Sequence, residues 1–206
     1  LNIGRLLLST TPEEALGERV FDIVNHLNYG VALISDEIEK VKLAELNLMA
    51  GQKAKSSTAY DTALRYLIVG MELLAENSWV AAYPLTFALY IERAECEYLC
   101  GHFEQGEKLF DTLLSQAKSK QDRAKVYGIQ IVQYTNMGKY LEAIEAGQEA
   151  LMLFDMPLTE TGLEEAFGAA LQEIELNLGE RAIKELIDLP EMTDPDKQTV
   201  LNLLVN

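Results

Sequence analysis

Two short stretches carry residue types that chemistry uses. Cys96-x-x-x-Cys100-x-His102 places two thiols and an imidazole within seven residues. Cysteines four apart lie about one turn apart on a single helix face. Regular helical backbone does not present the Cβ geometry that a disulfide needs, and the spacing is not a zinc pattern and offers no fourth ligand. The expectation is therefore a pair of reduced, packed thiols, with no metal and no cofactor. Gly51-Gln52-Lys53-Ala54-Lys55-Ser56 superficially suggests a phosphate-binding loop. It is too short, lacks the second glycine and lies in a helical pattern with no strand before it. Acid pairs such as Glu164-Glu165, or Glu173 with Glu175, read as solvated carboxylates, since no pocket is evident around them. His26 and His102, the two histidines, stand far apart and beside no nucleophile. No catalytic residue is expected.

Positioning falls to helices, because no run of alternating apolar and polar residues bounded by hairpin turns occurs. Three stretches share one grammar: Thr58-Ala59-Tyr60-Asp61-Thr62-Ala63, Gly101-His102-Phe103-Glu104-Gln105-Gly106 and Gly138-Lys139-Tyr140-Leu141-Glu142-Ala143. A turn residue is followed two positions on by an aromatic and five positions on by a small residue. Seven positions before each turn stand Gly51, Ala94 and Ile131, and twelve positions after it Gly70, Leu113 and Ala150. Small residues let paired helices approach, and the aromatics are expected to fill the space beneath each turn. Ile131 breaks the small-residue rule, so the third pair should pack more loosely or at another angle. The turns are 43 and 37 residues apart, longer than the 34 residues of a tetratricopeptide unit, so helices or connections must absorb the surplus.

The pattern predicts an all-α fold, a tetratricopeptide-like helical-repeat solenoid with an N-terminal helix and C-terminal capping helices. Residues 1–35 form the N-terminal helical segment, 36–156 three helix pairs, and 157–206 the caps, all in one structural domain. Helices are expected over about 37–56 and 59–76, 80–100 and 103–118, and 121–137 and 140–154. Thr11-Pro12-Glu13-Glu14 and Asp36 with Glu39 read as helix starts. Trp79 beside Tyr83 should pack between repeat units. Thr159 to Asn177 reads as an acidic amphipathic helix carrying Leu163, Phe167, Leu171, Ile174 and Leu178. Arg181 to Ile187 follows as a short helix, and Thr193-Asp194-Pro195-Asp196 caps a last one. This region is expected to seal the apolar end of the stack.

In such a stack the first helix of each pair lines a groove. By position it should present Glu45, Met49, Gln52 and Lys55, then Ala88, Glu92, Glu95 and Tyr98, then Lys125, Ile129, Val132 and Asn136. The partner-binding expectation rests on Gln52, Lys55, Glu92, Glu95, Tyr98 and Val132. Lys55 and Lys125 are offset by Glu92 and Glu95, which argues against a clamp for a C-terminal carboxylate. A neutral or basic helical segment suits the groove better.

Charge narrows the partners further. The net charge is −16, and from Tyr140 to Glu180 there are ten acidic residues and no Lys or Arg. Nucleic acid and anionic membrane surfaces would be repelled. No apolar run approaches the ~20 residues that span a bilayer, and a cytoplasmic location is expected. Leu1 at the start and an apolar periodic segment at the end read as cuts from a longer protein.

Four blocks resemble the helical region of very large cyanobacterial-type signalling proteins. They are Val20-Phe21-Asp22-Ile23-Val24-Asn25-His26-Leu27-Asn28, Ala50-Gly51-Gln52-Lys53-Ala54-Lys55-Ser56-Ser57-Thr58-Ala59-Tyr60, Glu95-Cys96-Glu97-Tyr98-Leu99-Cys100-Gly101-His102-Phe103 and Ile187-Asp188-Leu189-Pro190-Glu191-Met192-Thr193-Asp194-Pro195. Those proteins combine a serine/threonine kinase, an AAA-type ATPase, GAF sensors and a histidine kinase. The resemblance implies a regulatory region between the ATPase and the sensor modules, with partners among the other domains of the parent chain or a separate protein or peptide. It carries no kinase H-R-D or D-F-G motif onto this chain, so the implied role is a non-catalytic scaffold; small-molecule effector sensing is the alternative.

Overall fold

The computed structural model describes residues 1–158, 161–179 and 181–205, and these divide into two compact units, Leu1–Lys118 and Ser119–Asn206. No strand occurs among the described residues. The division falls between the second and third expected pairs.

The first unit runs through α1 (Asn2–Thr10), α2 (Glu13–Asn28), a 3-10 turn at Val31–Leu33, α3 (Glu37–Ser56), α4 (Tyr60–Glu72), the short α5 (Ser78–Ala81), α6 (Tyr83–Leu99) and α7 (Phe103–Gln116). Sequential helices pack as hairpins: α1 on α2, α3 on α4, α6 on α7, with α2 against α3 and α4 against α6. The surplus length between the first two turns goes into residues 73–82, where α4 stops early and α5 intervenes before Pro84 in the first turn of α6. Thr11 does not cap α2: Pro12 holds that position, and the Thr11 hydroxyl donates to the Leu7 carbonyl at the end of α1. Asp36 caps α3 as expected, accepting from the Ile38 amide, while Glu39 turns away to a two-pronged pair with Arg5.

The core of this unit holds Val20, Ile23, Val24, Leu43, Leu46, Leu67 and Leu89. Two polar side chains of this unit, Asn47 and Thr86, are fully enclosed, and Thr86 donates to the Ala82 carbonyl at the start of its own helix. Asn47 exchanges amide hydrogen bonds with Asn28 at 2.8 and 3.0 Å and donates to the Leu43 carbonyl at 2.9 Å. This reciprocal amide pair, with Asn47 tied also to its own helix, fixes the register of α2 against α3. Phe21 stacks on Tyr66, whose hydroxyl donates to Asn25, and Lys53 lies over the outer face of Phe21. Trp79 packs on Tyr83 and Tyr90.

The second unit contains α8 (Lys120–Asn136), α9 (Tyr140–Met152), α10 (Leu163–Leu178), a 3-10 stretch at Ile183–Asp188 and α11 (Pro195–Val205). Ser119 caps α8 by accepting from the Asp122 amide, and Asp194 caps α11 by accepting from Asp196 and Lys197. The helix α11 packs on α8 and α9, burying Val200 and Leu203. By contrast α10, expected to help seal the core, has no buried residue among its described side chains. Thr159 and Glu180, at the edges of the expected acidic stretch, lie outside the described residues.

The three turns are one structure repeated. Thr58, Gly101 and Gly138 have φ of 59°, 81° and 73°. In each, the turn residue donates to the carbonyl three back (Lys55, Tyr98, Thr135), and the next residue donates to the carbonyl five back (Ala54, Glu97, Tyr134). This left-handed cap satisfies the last carbonyls of the first helix and reverses the chain. Each aromatic opens its second helix, and two of the three do not fill the space beneath the turn: Phe103 and Tyr140 are 40% and 64% exposed, whereas Tyr60 is half-buried. Packing is settled deeper, nine residues past the turn. Gly51 lies so close to Leu67 that an added Cβ would meet its Cγ at 2.7 Å, and the corresponding residues of the second pair, Ala94 and Phe110, are both fully buried. The third pair inverts the sizes: Ile131 stands opposite Gly147, with 3.8 Å from its Cδ1 to an ideal Cβ there. Ile131 therefore departs from the small-residue rule because its partner shrinks.

Candidate functional site

The expected groove residues of the first unit come from one pair of neighbouring helices. A spacing of three along α3 and along α6 puts Gln52 and Lys55, and Glu92 and Glu95, each on one helix face. Because α3 and α6 pack side by side, these faces adjoin. Gln52 Nε2 donates to Glu92 Oε1 at 2.9 Å, and Lys55 Nζ bridges Glu92 Oε2 at 2.5 Å and Glu95 Oε2 at 2.8 Å. Four of the six expected residues thus form one network. Burial pulls the Lys55 ammonium down, but its bonds to Glu92 and Glu95 outweigh that and hold it above the usual lysine range. One ammonium against two carboxylates leaves the face one negative charge in excess.

Tyr98 corrects the expectation. It is 4% exposed, its ring lies 5.5 Å from both Phe103 and Phe110, and its hydroxyl donates to Glu107. Gly106 makes this possible, since a side chain there would run into the Tyr98 ring. A residue at that depth supports α7 against α6 and offers nothing to a partner. Val132 is half-buried in α8 of the second unit.

Behind the network sits Cys96, fully buried. Burial pushes its thiol up to about 12; nearby Lys55 opposes this, while Glu95, Glu92 and Cys100 add to it. Cys100 is also raised, by burial first and then by Asp61, toward which its Sγ points at 3.9 Å. Both cysteines are free. His102 does not join them: its Nδ1 lies 2.8 Å from the buried carboxylate of Glu97, which also accepts from Arg93 Nε at 3.1 Å. Cys96, Cys100 and His102 therefore face three different surroundings, and among the described residues no three metal-ligating side chains converge. Sequence reasoning missed the buried Glu97, which stands among Glu92, Arg93 and Glu95 and carries no local signal that sets it apart.

The second unit holds an open apolar cavity of about 530 Å³ lined by Phe154, Met156, Met192, Val200, Leu201 and Leu204, with Asp194, Asp196 and Lys197 at its edge. Asp196 is engaged by Lys120 at 2.5 Å and by Gln121 at 2.6 Å. Among the described residues no helix is long and apolar enough to cross a membrane.

No family model matches the chain, and no solved structure matches it. Over 141 residues, 64% of its length, the chain is 30% identical to hybrid signal transduction histidine kinase G of Dictyostelium discoideum. The matched part is 4% of that protein, so the chain spans a small piece of this relative.

Proposed function

We propose that the chain is a non-catalytic interaction module of a multidomain signal-transduction kinase, built as a tetratricopeptide-like helical-repeat solenoid. The observation that carries this is the recurrence of one left-handed cap at three helix–helix turns, in a chain similar to part of a histidine kinase. The resemblance in its sequence blocks suggests neighbours of the kinase, AAA-type ATPase and GAF classes. The α3/α6 face is the docking surface, through Gln52, Lys55, Glu92 and Glu95. With one carboxylate in excess it suits a neutral or basic segment of another domain or of a partner, and it disfavours a peptide carboxylate. Val132, on α8 of the second unit, is a partner contact of its own, separate from that surface. The module acts by shifting a domain-docking equilibrium, which requires unequal affinity for the two docked states.

The test uses the chain with fifteen-residue peptides tiled across the rest of its parent protein. A basic segment is expected to bind, and Glu95→Gln to weaken it at least threefold while leaving the thermal midpoint within a few degrees. No binding segment, or binding indifferent to Glu95, would overturn the proposal. The apolar cavity beside α11 favours a second function, sensing of a small apolar effector. A ligand-dependent thermal shift abolished by Leu201→Asp would establish that role instead.

A further inference from the structure

Apart from the α3/α6 face, the second unit offers a helix built for contact and left without one. In α10, Phe167, Leu171 and Ile174 are 67%, 45% and 60% exposed, and Leu178 is half-buried. Spacings of four, three and four put these four residues on one stripe. Glu164 and Glu175, three turns apart, run along one edge of it, and Glu173 lies on the back of the helix, which holds no Lys or Arg. A sixteen-residue helix with Gly168 near its middle is marginal alone in water, and none of the described side chains of this one is fully buried.

We propose that α10 docks a basic amphipathic helix of a partner protein, an apolar stripe edged by Lys or Arg. Charge decides among the occupants. A second copy of α10 would bring acidic edges against acidic edges. Both units are net acidic, with 17 acidic and 10 basic residues in the first and 16 and 7 in the second, so neither complements the helix overall. Anionic lipid is repelled by the same carboxylates. A helix with complementary edges satisfies both the stripe and the charge.

The probe is a synthetic fourteen-residue peptide of leucine and lysine in amphipathic helical order, against the same composition in alternating order. Binding to the chain is read by fluorescence anisotropy. The helical peptide is expected to bind at least tenfold tighter than the alternating one and to slow amide exchange over residues 163–178. Phe167→Ser with Ile174→Ser, which leaves charge unchanged, should weaken binding about tenfold or more. Glu164→Gln with Glu175→Gln should weaken it about threefold at low salt and less at high salt. An added Cβ at Gly168 meets nothing, so Gly168→Ala should tighten binding up to about fivefold by stiffening the helix. Equal binding of the two peptides, no binding, or indifference to the serine pair would overturn the proposal. Glu92→Gln with Glu95→Gln should leave this binding unchanged, which separates it from the fate of the α3/α6 face.

Discussion

The inverted sizes at Gly51/Leu67 and Ile131/Gly147 make one substitution harmful in one pair and helpful in another. Glycine inside a helix costs roughly 0.5–1 kcal/mol relative to alanine. Where space is free, Gly→Ala recovers that amount. At Gly147 the nearest atom to a new Cβ is Ile131 Cδ1 at 3.8 Å, an ordinary contact. Gly147→Ala should therefore stabilise the second unit by about 0.5–1 kcal/mol. At Gly51 the same methyl falls 2.7 Å from Leu67 Cγ and Cδ2, and Leu67 is fully buried within the core. Overpacking costs about 1–3 kcal/mol, so Gly51→Ala should be net destabilising by about 0.5–2 kcal/mol despite its better helix propensity. Leu67→Ala alone should cost about 2–5 kcal/mol through the cavity it leaves. In the double variant the new methyl occupies part of that cavity. Its cost should fall short of the sum by about 1–2 kcal/mol, well outside the ~0.5 kcal/mol expected of independent sites. Urea unfolding of the four members of the cycle, with Gly147→Ala as the contrasting control, measures all of this. Two results would refute the reasoning: Gly51→Ala stabilising as Gly147→Ala does, or Gly51→Ala and Leu67→Ala adding without coupling.

Thr58 holds at φ 59° the turn position that glycine occupies in the other two pairs. A β-branched residue there is strained by roughly 1–2 kcal/mol, so Thr58→Gly should raise stability by about 0.5–1 kcal/mol after glycine's greater freedom in the unfolded chain is counted; thermal unfolding checks it. Cys96, with its thiol held up to about 12, binds its proton more tightly folded than unfolded. The stability it contributes is complete below the unfolded thiol's value near 8.5 and is lost as pH rises toward 12. Between pH 8 and 10 the wild type should lose about 2 kcal/mol more than Cys96→Ala, and thiol titration of the folded chain should leave Cys96 unreacted until urea opens the unit.

How far the sequence could be read follows from how local each cause is. The three turns were legible because a left-handed cap needs its residue at one position, and glycine stands there twice; the helix ends near them agree within a residue or two. The α3/α6 face was legible for a similar reason, since a spacing of three fixes which residues share a side. That Lys55 would turn to Glu92 and Glu95 depends on α3 packing beside α6, a contact that the periodicity of neither helix contains. Tyr98 was misplaced because its direction is decided by what α7 lacks at Gly106, not by anything in α6. The pairing of Asn28 with Asn47 joins two helices whose relative register no periodicity contains. For Ile131 the missing signal was in the sequence but at another site: only when position nine past the turn is read together with position seven before it does the inversion show. Volume is conserved across the pair and not at either residue, which is why a residue-by-residue pattern reports a broken rule where the packing has none. The same distinction explains α10. Periodicity shows that it has an apolar stripe, whereas its cover is a property of a second surface, and only the charge along its edges says what kind of surface that must be.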